Sequence, residues 1–421
     1  MQISHKHTES VAGLKLTLGS QELAVLTHYS GGKNILVFSP NYLTLPVDQR
    51  HTFTLTQLAA PAMLQQPLVS HQKLTPLLSN LLPEGALREW MATSLKVHTD
   101  NEFPLFAHMS HNLPGALRAT PISAGELPDW ALDHRRQIES IQIDVKHTST
   151  KFSLAGVQMK FSSTKQDGRF NLKVDADGES WIIKTPSTIH KNVPENEYTA
   201  MRLAQAAGVV IPDIQLVELD RLDHLPDIQL PNETYAYAIK RFDRDDIGRI
   251  HTEDFAQVFQ VYPSDKYKKF NYEQIGSALF RHSATGLADV QQMARRLLVN
   301  ILLGNGDAHL KNWSLIYLNK LRPQLSPAYD IVFTLPYVAG DDSAALKMAK
   351  QNNFYSLDYA AFETWSKRMQ VPWPAIKVHL QDTLERARAQ WPQLLSELPM
   401  LATHKQALIT HWHRLHPDFH L

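Results

Sequence analysis

Asp307 and Asn312 stand five residues apart in Gly304-Asn305-Gly306-Asp307-Ala308-His309-Leu310-Lys311-Asn312, a polar, glycine-broken run behind an apolar stretch. One loop of that length can point a carboxylate and an amide into the same site. In phosphoryl transfer the Asp takes the proton of an attacking hydroxyl and the Asn holds Mg²⁺. A second carboxylate, Asp330, follows eighteen residues later in Tyr329-Asp330-Ile331, and Trp313–Leu318 alternates like a strand between them. Loop, strand and Asp together return a metal-binding carboxylate to its Asn. Mg²⁺ takes oxygen ligands and keeps several waters, so Asp330, Asn312 and nucleotide phosphates suffice. Upstream, Trp181-Ile182-Ile183-Lys184 ends an apolar run in a lysine, a point charge suited to phosphates. Glu197, thirteen residues on, can hold that lysine in place. Each signal alone has a bland reading: a D-x-x-x-x-N arises by chance, and an edge-strand lysine usually snorkels to solvent. The ordered set Lys184, Asp307, Asn312, Asp330 favours phosphoryl transfer.

These residues need elements to carry them. Residues 11–45 show period-two alternation, with Leu14, Leu16 and Leu18, then Leu23–Leu26, then Ile35–Phe38, separated by Gly19-Ser20 and Gly31-Gly32, the pattern of a meander. Residues 73–96 read as helix broken at Pro83. Residues 120–150 read as a connection. Short strands are expected at Phe170–Val174, Trp181–Lys184 and Tyr235–Ile239, with a helix over Asn196–Ala207. After residue 250 the pattern is mostly helical, most clearly over Val290–Leu303. A dinucleotide G-x-G-x-x-G and a P-loop are both missing. The candidate phosphate-covering segment is Ser153-Leu154-Ala155-Gly156-Val157-Gln158-Met159-Lys160, which offers small residues, backbone N–H groups and Lys160.

The chain has 421 residues, 43% hydrophobic and 20% charged, a composition that excludes collagen, coiled coil and global disorder. Lysine plus arginine and aspartate plus glutamate both number 42. A balance of zero disfavours wrapping of a phosphate backbone. With no cysteine, disulfides, thiolate metal sites and cysteine nucleophiles are excluded. The first ten residues lack an apolar signal core, and no apolar run nears the roughly 20 residues a membrane span needs. A cytoplasmic protein without membrane contact is expected. Three parts are expected: an N-terminal β-rich subdomain over 1–120, a lobe with phosphate loop and hinge over 121–245, and an α-helical lobe with the catalytic loop over 246–421.

The whole set resembles one family, the HipA-type toxin serine/threonine kinases. Ser153–Lys160 resembles its S-x-A-G-x-Q-x-K loop, and Trp181–Pro186 its I-I-K-P strand. Asn196-Glu197-Tyr198 with Met201–Ala204 resembles its N-E-x-x-x-x-x-L-A helix. Arg241-Phe242-Asp243-Arg244 resembles E-R-F-D-R, His251–Gln257 resembles H-x-E-D-F-x-Q, Gly304–Asn312 resembles G-N-T-D-A-H-x-K-N, and Pro327–Asp330 resembles P-x-Y-D. Leu81-Leu82-Pro83-Glu84-Gly85 and Leu105–Gly115 look like its N-terminal domain. The sequence departs from the pattern at Lys240, where a Glu is usual, and at Gly306, where a Thr is usual.

The resemblance implies an α+β, two-lobed protein-kinase-like fold with an extra N-terminal β-rich subdomain and an α-helical C-terminal lobe. It implies Asp307 as catalytic base, Asn312 and Asp330 as Mg²⁺ ligands, and Lys184 on the phosphates of ATP. Ala155, Gly156, Val157, Gln158, Met159 and Lys160 would cover the phosphates, with His309 and Lys311 lining that side and Tyr329 beside Asp330. Lys240, Arg241 and Phe242 would be the adenine hinge. Ser153 would be the autophosphorylation site, whose phosphate silences the kinase. The implied partners are a HipB-like helix-turn-helix antitoxin, through which DNA is contacted indirectly, and a translation-related protein substrate such as an aminoacyl-tRNA synthetase. Growth arrest is the implied outcome.

Two rival readings use the same residues. Gly306–Asn312 also fits the G-D-x-H-x-x-N loop of small-molecule phosphotransferases, but the Ser153 loop and hinge motif weigh against that class. A non-catalytic scaffold for a DNA-binding antitoxin would be expected to lose Lys184, Asp307 or Asp330. Ser162, Ser163 and Thr164 are alternative phosphate acceptors. His411, His413, His416 and His420 read as a solvated tail rather than a metal site, and Lys266, Lys268 and Lys269 as a solvated face.

Overall fold

The computed structural model describes residues 8–110, 113–144, 159–166, 168–172, 179–225, 230–338 and 340–421. Five antiparallel strands form the N-terminal sheet, in the order Leu68–His71, Lys33–Phe38, Gln21–Tyr29, Gly13–Leu18, Leu117–Ile122. Leu14 pairs with Leu26, and Leu26 with Leu36. The alternation of Leu14, Leu16 and Leu18 therefore places these leucines in the core, while Lys15 and Thr17 are only partly buried. Behind the sheet the expected helix is split into Pro76–Ser79 and Gly85–Leu95. Pro83 stands in the break, and the intervening Asn80–Glu84 turns toward the rest of the chain.

The connection read over 120–150 is more ordered than expected. Ile141–Asp144 pairs antiparallel with Thr8–Val11, and Ala131 packs in a small core with Ala12, Val25 and Leu127. Polar composition hid this strand, because only one of its faces meets apolar neighbours.

A six-stranded sheet follows, in the order Ile214–Glu218, Tyr235–Lys240, Glu179–Lys184, Lys160–Gln166, Arg169–Asn171, Leu222–Asp223. All neighbours are antiparallel except the last pair. Helix Val193–Ala206 packs on this sheet, with Pro194 near its start, where a missing N–H costs nothing. Its Met201, Leu203 and Ala204 enter the large core of the C-terminal lobe. That core is built by helices Tyr272–His282, Gly286–Leu302, Tyr359–Arg368, Trp373–Glu397 and Ala402–Arg414. The long apolar helix stops at Gly304, whose φ of +56° only glycine adopts cheaply, and the polar run begins there.

Of the four C-terminal histidines, His413 and His420 are exposed and His416 is partly buried, but His411 departs from the solvated-tail reading. Ala402–Arg414 is a helix, and His411 is buried, its Nε2 on the carbonyl of Ile301 at 2.8 Å and its Nδ1 on the Tyr355 hydroxyl at 3.2 Å. The burial of Leu408 and Trp412 beside it shows why: the histidine shares an apolar helix face.

Candidate functional site

Lys184 closes the central strand Glu179–Lys184, so its ammonium emerges under the sheet rather than at an edge. Its side chain is 5% exposed and lies between two carboxylates, Glu197 from helix Val193–Ala206 and Asp330. Burial alone would push this lysine down, but Asp330 and Glu197 outweigh it and hold the pKa above the ordinary value. Burial pushes Glu197 up, while Lys184 and Lys160 hold Asp330 well below the usual carboxylate range despite its burial. Asp330 is therefore an anion under all physiological conditions. Its φ of +54° is an uncommon backbone state for a side-chain-bearing residue, of the kind that clusters at functional sites.

Lys160 opens the adjacent strand and reaches the other oxygen of Asp330 at 3.1 Å. Met159 is buried, and its carbonyl accepts from the N–H of Thr185 at 3.0 Å. Ser153, Ala155, Gly156, Val157 and Gln158 lie outside the described residues. Among the alternative acceptors, Ser163 is buried, and Ser162 accepts from Arg241 at 3.1 Å.

The catalytic-loop candidates sit one layer below. Asp307 is half exposed. It accepts a hydrogen bond from the Tyr267 hydroxyl. Asn312 donates its amide to the Asp307 carbonyl at 2.6 Å, which leaves Oδ1 as an acceptor. With the Asp330 carboxylate this is an all-oxygen donor set, the chemistry that Mg²⁺ takes, so the residues present fit that ion. His309 is buried and pushed down to about 4, so it is neutral at physiological pH. Gly306 is closely surrounded: a Cβ there would stand 2.7 Å from the Asp341 carboxylate and 3.1 Å from the Ser343 carbonyl, so both would have to give way. Its N–H is fixed by Thr334 Oγ1 at 2.8 Å. That backbone bond anchors the loop just before Asp307.

A cavity of about 520 Å³ opens between these groups and the N-terminal domain. Lys160, Lys184 and Asp330 line its charged end, Ile182 and Ile239 its apolar floor, and Leu81 and Leu82 the opposite wall. A small polar set in an apolar cleft of this size suits a nucleotide-sized ligand. Lys240, Arg241 and Phe242 also line it, but their side chains have further partners. Lys240 pairs with Glu179 at 2.6 Å near the surface, and Phe242 packs on Tyr329 at 5.8 Å between ring centres. The backbone N–H groups of Lys240 and Arg241 already donate to Asp213 and Ser180.

The Arg-Phe-Asp-Arg run also joins the domains. Asp243 accepts from Arg241, from Arg244 and from the N–H of Gly115 at 2.8 Å, and Arg244 donates to the Leu113 carbonyl at 3.2 Å. These partners hold buried Asp243 down at about 2.

Lys311 reaches across to the N-terminal domain. It lines the cavity, yet its Nζ is held by Glu84 at 2.7 Å and the Asn80 carbonyl at 3.0 Å, both in the N-terminal domain. Lys266 is not a solvated residue either, being 20% exposed and paired with Glu84 at 2.7 Å, whereas Lys268 and Lys269 are exposed. Sequence reasoning assigned no role to Glu84 or Tyr267. The Leu-Leu-Pro-Glu-Gly motif was the available signal for Glu84, and nothing local marked Tyr267.

A buried lysine between two carboxylates, at the seam of a β-rich lobe and a helical lobe, defines a two-lobed, kinase-like molecule. A family model described as "HipA-like C-terminal domain" matches residues 152–391, and one described as "HipA N-terminal domain" matches residues 14–120. The chain therefore belongs to the HipA family. It is 37% identical over 406 residues to the Sinorhizobium fredii protein named "Putative kinase Y4dM", covering 95% of this chain and 96% of that one. It is 26% identical over 319 residues to the serine/threonine-protein kinase toxin HipA of Shewanella oneidensis, covering 68% and 69%. The solved complex of Shewanella oneidensis MR-1 HipA with HipB and operator DNA contains a chain with the same fold, with a TM-score of 0.69 at 20% identity over 96% of this chain and 97% of that one. No helix among the described residues is long and apolar enough to cross a membrane.

Proposed function

We propose that the chain is an ATP- and Mg²⁺-dependent serine/threonine protein kinase, the toxin of a toxin–antitoxin pair, silenced by phosphorylation of its own Ser153. The observation that carries this reading is Lys184 held between Glu197 and Asp330 at the charged end of the cavity. Such a lysine presents one fixed positive charge to phosphate oxygens, and Lys160 adds a second. Asp330 and Asn312 would hold Mg²⁺, which when bound neutralises charge on the transferring phosphoryl group. Asp307 would orient the acceptor hydroxyl and take its proton. Catalysis is then positioning and electrostatics, with no covalent enzyme intermediate.

Family membership supports the toxin role, and the likeness to a HipA bound to HipB supports a helix-turn-helix antitoxin as partner. The neutral net charge agrees with DNA contact made mainly through that partner. A translation component such as an aminoacyl-tRNA synthetase is the proposed target, with growth arrest in the cytoplasm as the result.

The test is the intact mass of wild type and Asp307→Ala, taken before and after phosphatase and then Mg-ATP, with peptide mapping. The expected result is a phosphate on Ser153 that wild type regains and the variant never acquires. A wild type that neither gains phosphate nor binds ATP overturns the kinase and leaves a scaffold. A wild type that binds Mg-ATP yet stays unmodified points to a small-molecule phosphotransferase.

A further inference from the structure

Glu84 stands at the N-cap position of helix Gly85–Leu95, where a short polar side chain such as Ser or Asp accepts from the helix's first N–H groups. It makes no such bond. Its two oxygens go instead to two lysines of the helical lobe, Oε1 to Lys311 and Oε2 to Lys266, each at 2.7 Å. The two ammonium groups hold this carboxyl down at about 2 against the opposing effect of burial. Both oxygens of this carboxylate are thus engaged across the domain boundary, on the helical lobe.

Both lysines adjoin the proposed reaction centre. Lys311 is one residue before Asn312, and its Nζ also donates to the Asn80 carbonyl. Lys266 precedes Tyr267, whose hydroxyl donates to Asp307 and whose ring packs edge-on against His309 at 4.8 Å. The carbonyl of Lys266 accepts from the N–H of Leu310 at 3.3 Å, so the Lys266–Tyr267 segment and the catalytic loop are bonded to each other directly. Around this point the same N-terminal turn is fixed to the helical lobe by Asn80 on the Val261 carbonyl at 2.8 Å and by Gln257 on the Leu77 carbonyl at 2.7 Å.

We infer that Glu84 is a positioning residue of the phosphoryl-transfer site: an N-terminal-domain carboxylate that fixes the catalytic loop through Lys311 and, through Lys266, the tyrosine that caps Asp307. The inference rests on the kinase reading for its effect on rate, but its structural part does not. The Tyr267 hydroxyl bonds one oxygen, Oδ1, of the half-exposed Asp307 carboxylate, and so fixes how that carboxylate is presented.

The experiment compares wild type, Glu84→Ala, Glu84→Asp and Lys266→Ala by amide hydrogen exchange, ATP affinity and phosphorylation of a protein acceptor. In Glu84→Ala, exchange over residues 304–313 is expected to speed at least tenfold while the sheet Gly13–Tyr29 is unchanged. The kcat is expected to fall at least tenfold with ATP affinity within twofold. Glu84→Asp should recover part of both, and Lys266→Ala should change acceptor KM more than ATP affinity. Unchanged exchange and kcat overturn the inference. So does loss of protection throughout the N-terminal sheet, which would make Glu84 a folding residue. A wild type that transfers no phosphate removes the kinase reading instead, and exchange over 304–313 then decides by itself whether Glu84 orders the loop.

Discussion

Lys184 separates stability from function within one residue. Buried between Glu197 and Asp330, it is the cation that both carboxylates share, while Lys160 pairs with Asp330 alone. Removing one member of a buried ionic group costs about 3–5 kcal/mol, because the remaining charges are left uncompensated. Lys184→Met is therefore expected to abolish transfer and to lower stability by about that amount. Adding Glu197→Gln should restore part of the loss, since one orphaned carboxylate is then neutral. Chemical denaturation of the two single variants and the double variant measures this coupling. Strict additivity within about 0.5 kcal/mol would deny it. The lysine, Glu197 and Asp330 were readable because each sits at the end of a recognisable pattern: an apolar strand, a helix start, a strand after a polar loop. Lys266 was not. A lysine among lysines looks like a solvated face, and the carboxylate that pairs with it lies 182 residues away.

The strand Thr252–Asp254 shows how an element can carry a pH response outside the reaction centre. It joins the N-terminal domain to the helical lobe: Glu253 accepts from the N–H of Leu55 at 2.6 Å and from the Tyr317 hydroxyl. Burial raises Glu253 to about 7 and Asp254 to about 6. A carboxyl with a raised folded pKa contributes stability that is complete below its unfolded value near ~4.3 and is lost as pH rises through the folded value. Between about pH 4.5 and 7 the wild type should therefore lose ~3 kcal/mol relative to Glu253→Gln, whose side chain is neutral throughout. Urea melts of both proteins across that range test it, and parallel curves would show that Glu253 ionises normally. At this scale the sequence was informative wherever a period ran long enough. The N-terminal meander and the helix ending at Leu302 follow from spacing alone. The Ile141–Asp144 strand and the C-terminal helix, with their mixed composition, acquire their burial only from partners far along the chain.

The whole molecule is organised by a seam that no local pattern predicts. Two family models divide the chain, but the structure ties the parts with buried polar bonds. Glu253 accepts from the N–H of Leu55, His251 donates to the Phe53 carbonyl at 2.8 Å, Thr56 donates to the Val258 carbonyl at 2.7 Å, and Asp243 accepts from the N–H of Gly115. Leu55 is itself counted among the apolar residues of the C-terminal core. Parting the domains would strand these groups, and an unmade buried hydrogen bond costs about 1–3 kcal/mol. Inter-domain interfaces within one chain are usually polar and looser than this, and relative motion is the ordinary expectation. Here the seam is lined with paired groups, several buried on both sides, and the nucleotide-sized cavity and the Glu84 contact both lie within it. The N-terminal domain and the kinase-like lobes should consequently unfold as one unit. Scanning calorimetry is expected to give a single peak whose calorimetric and van't Hoff enthalpies agree. Two resolved peaks would mean that the domains are stable apart, and the catalytic loop could not then owe its order to a carboxylate across the boundary.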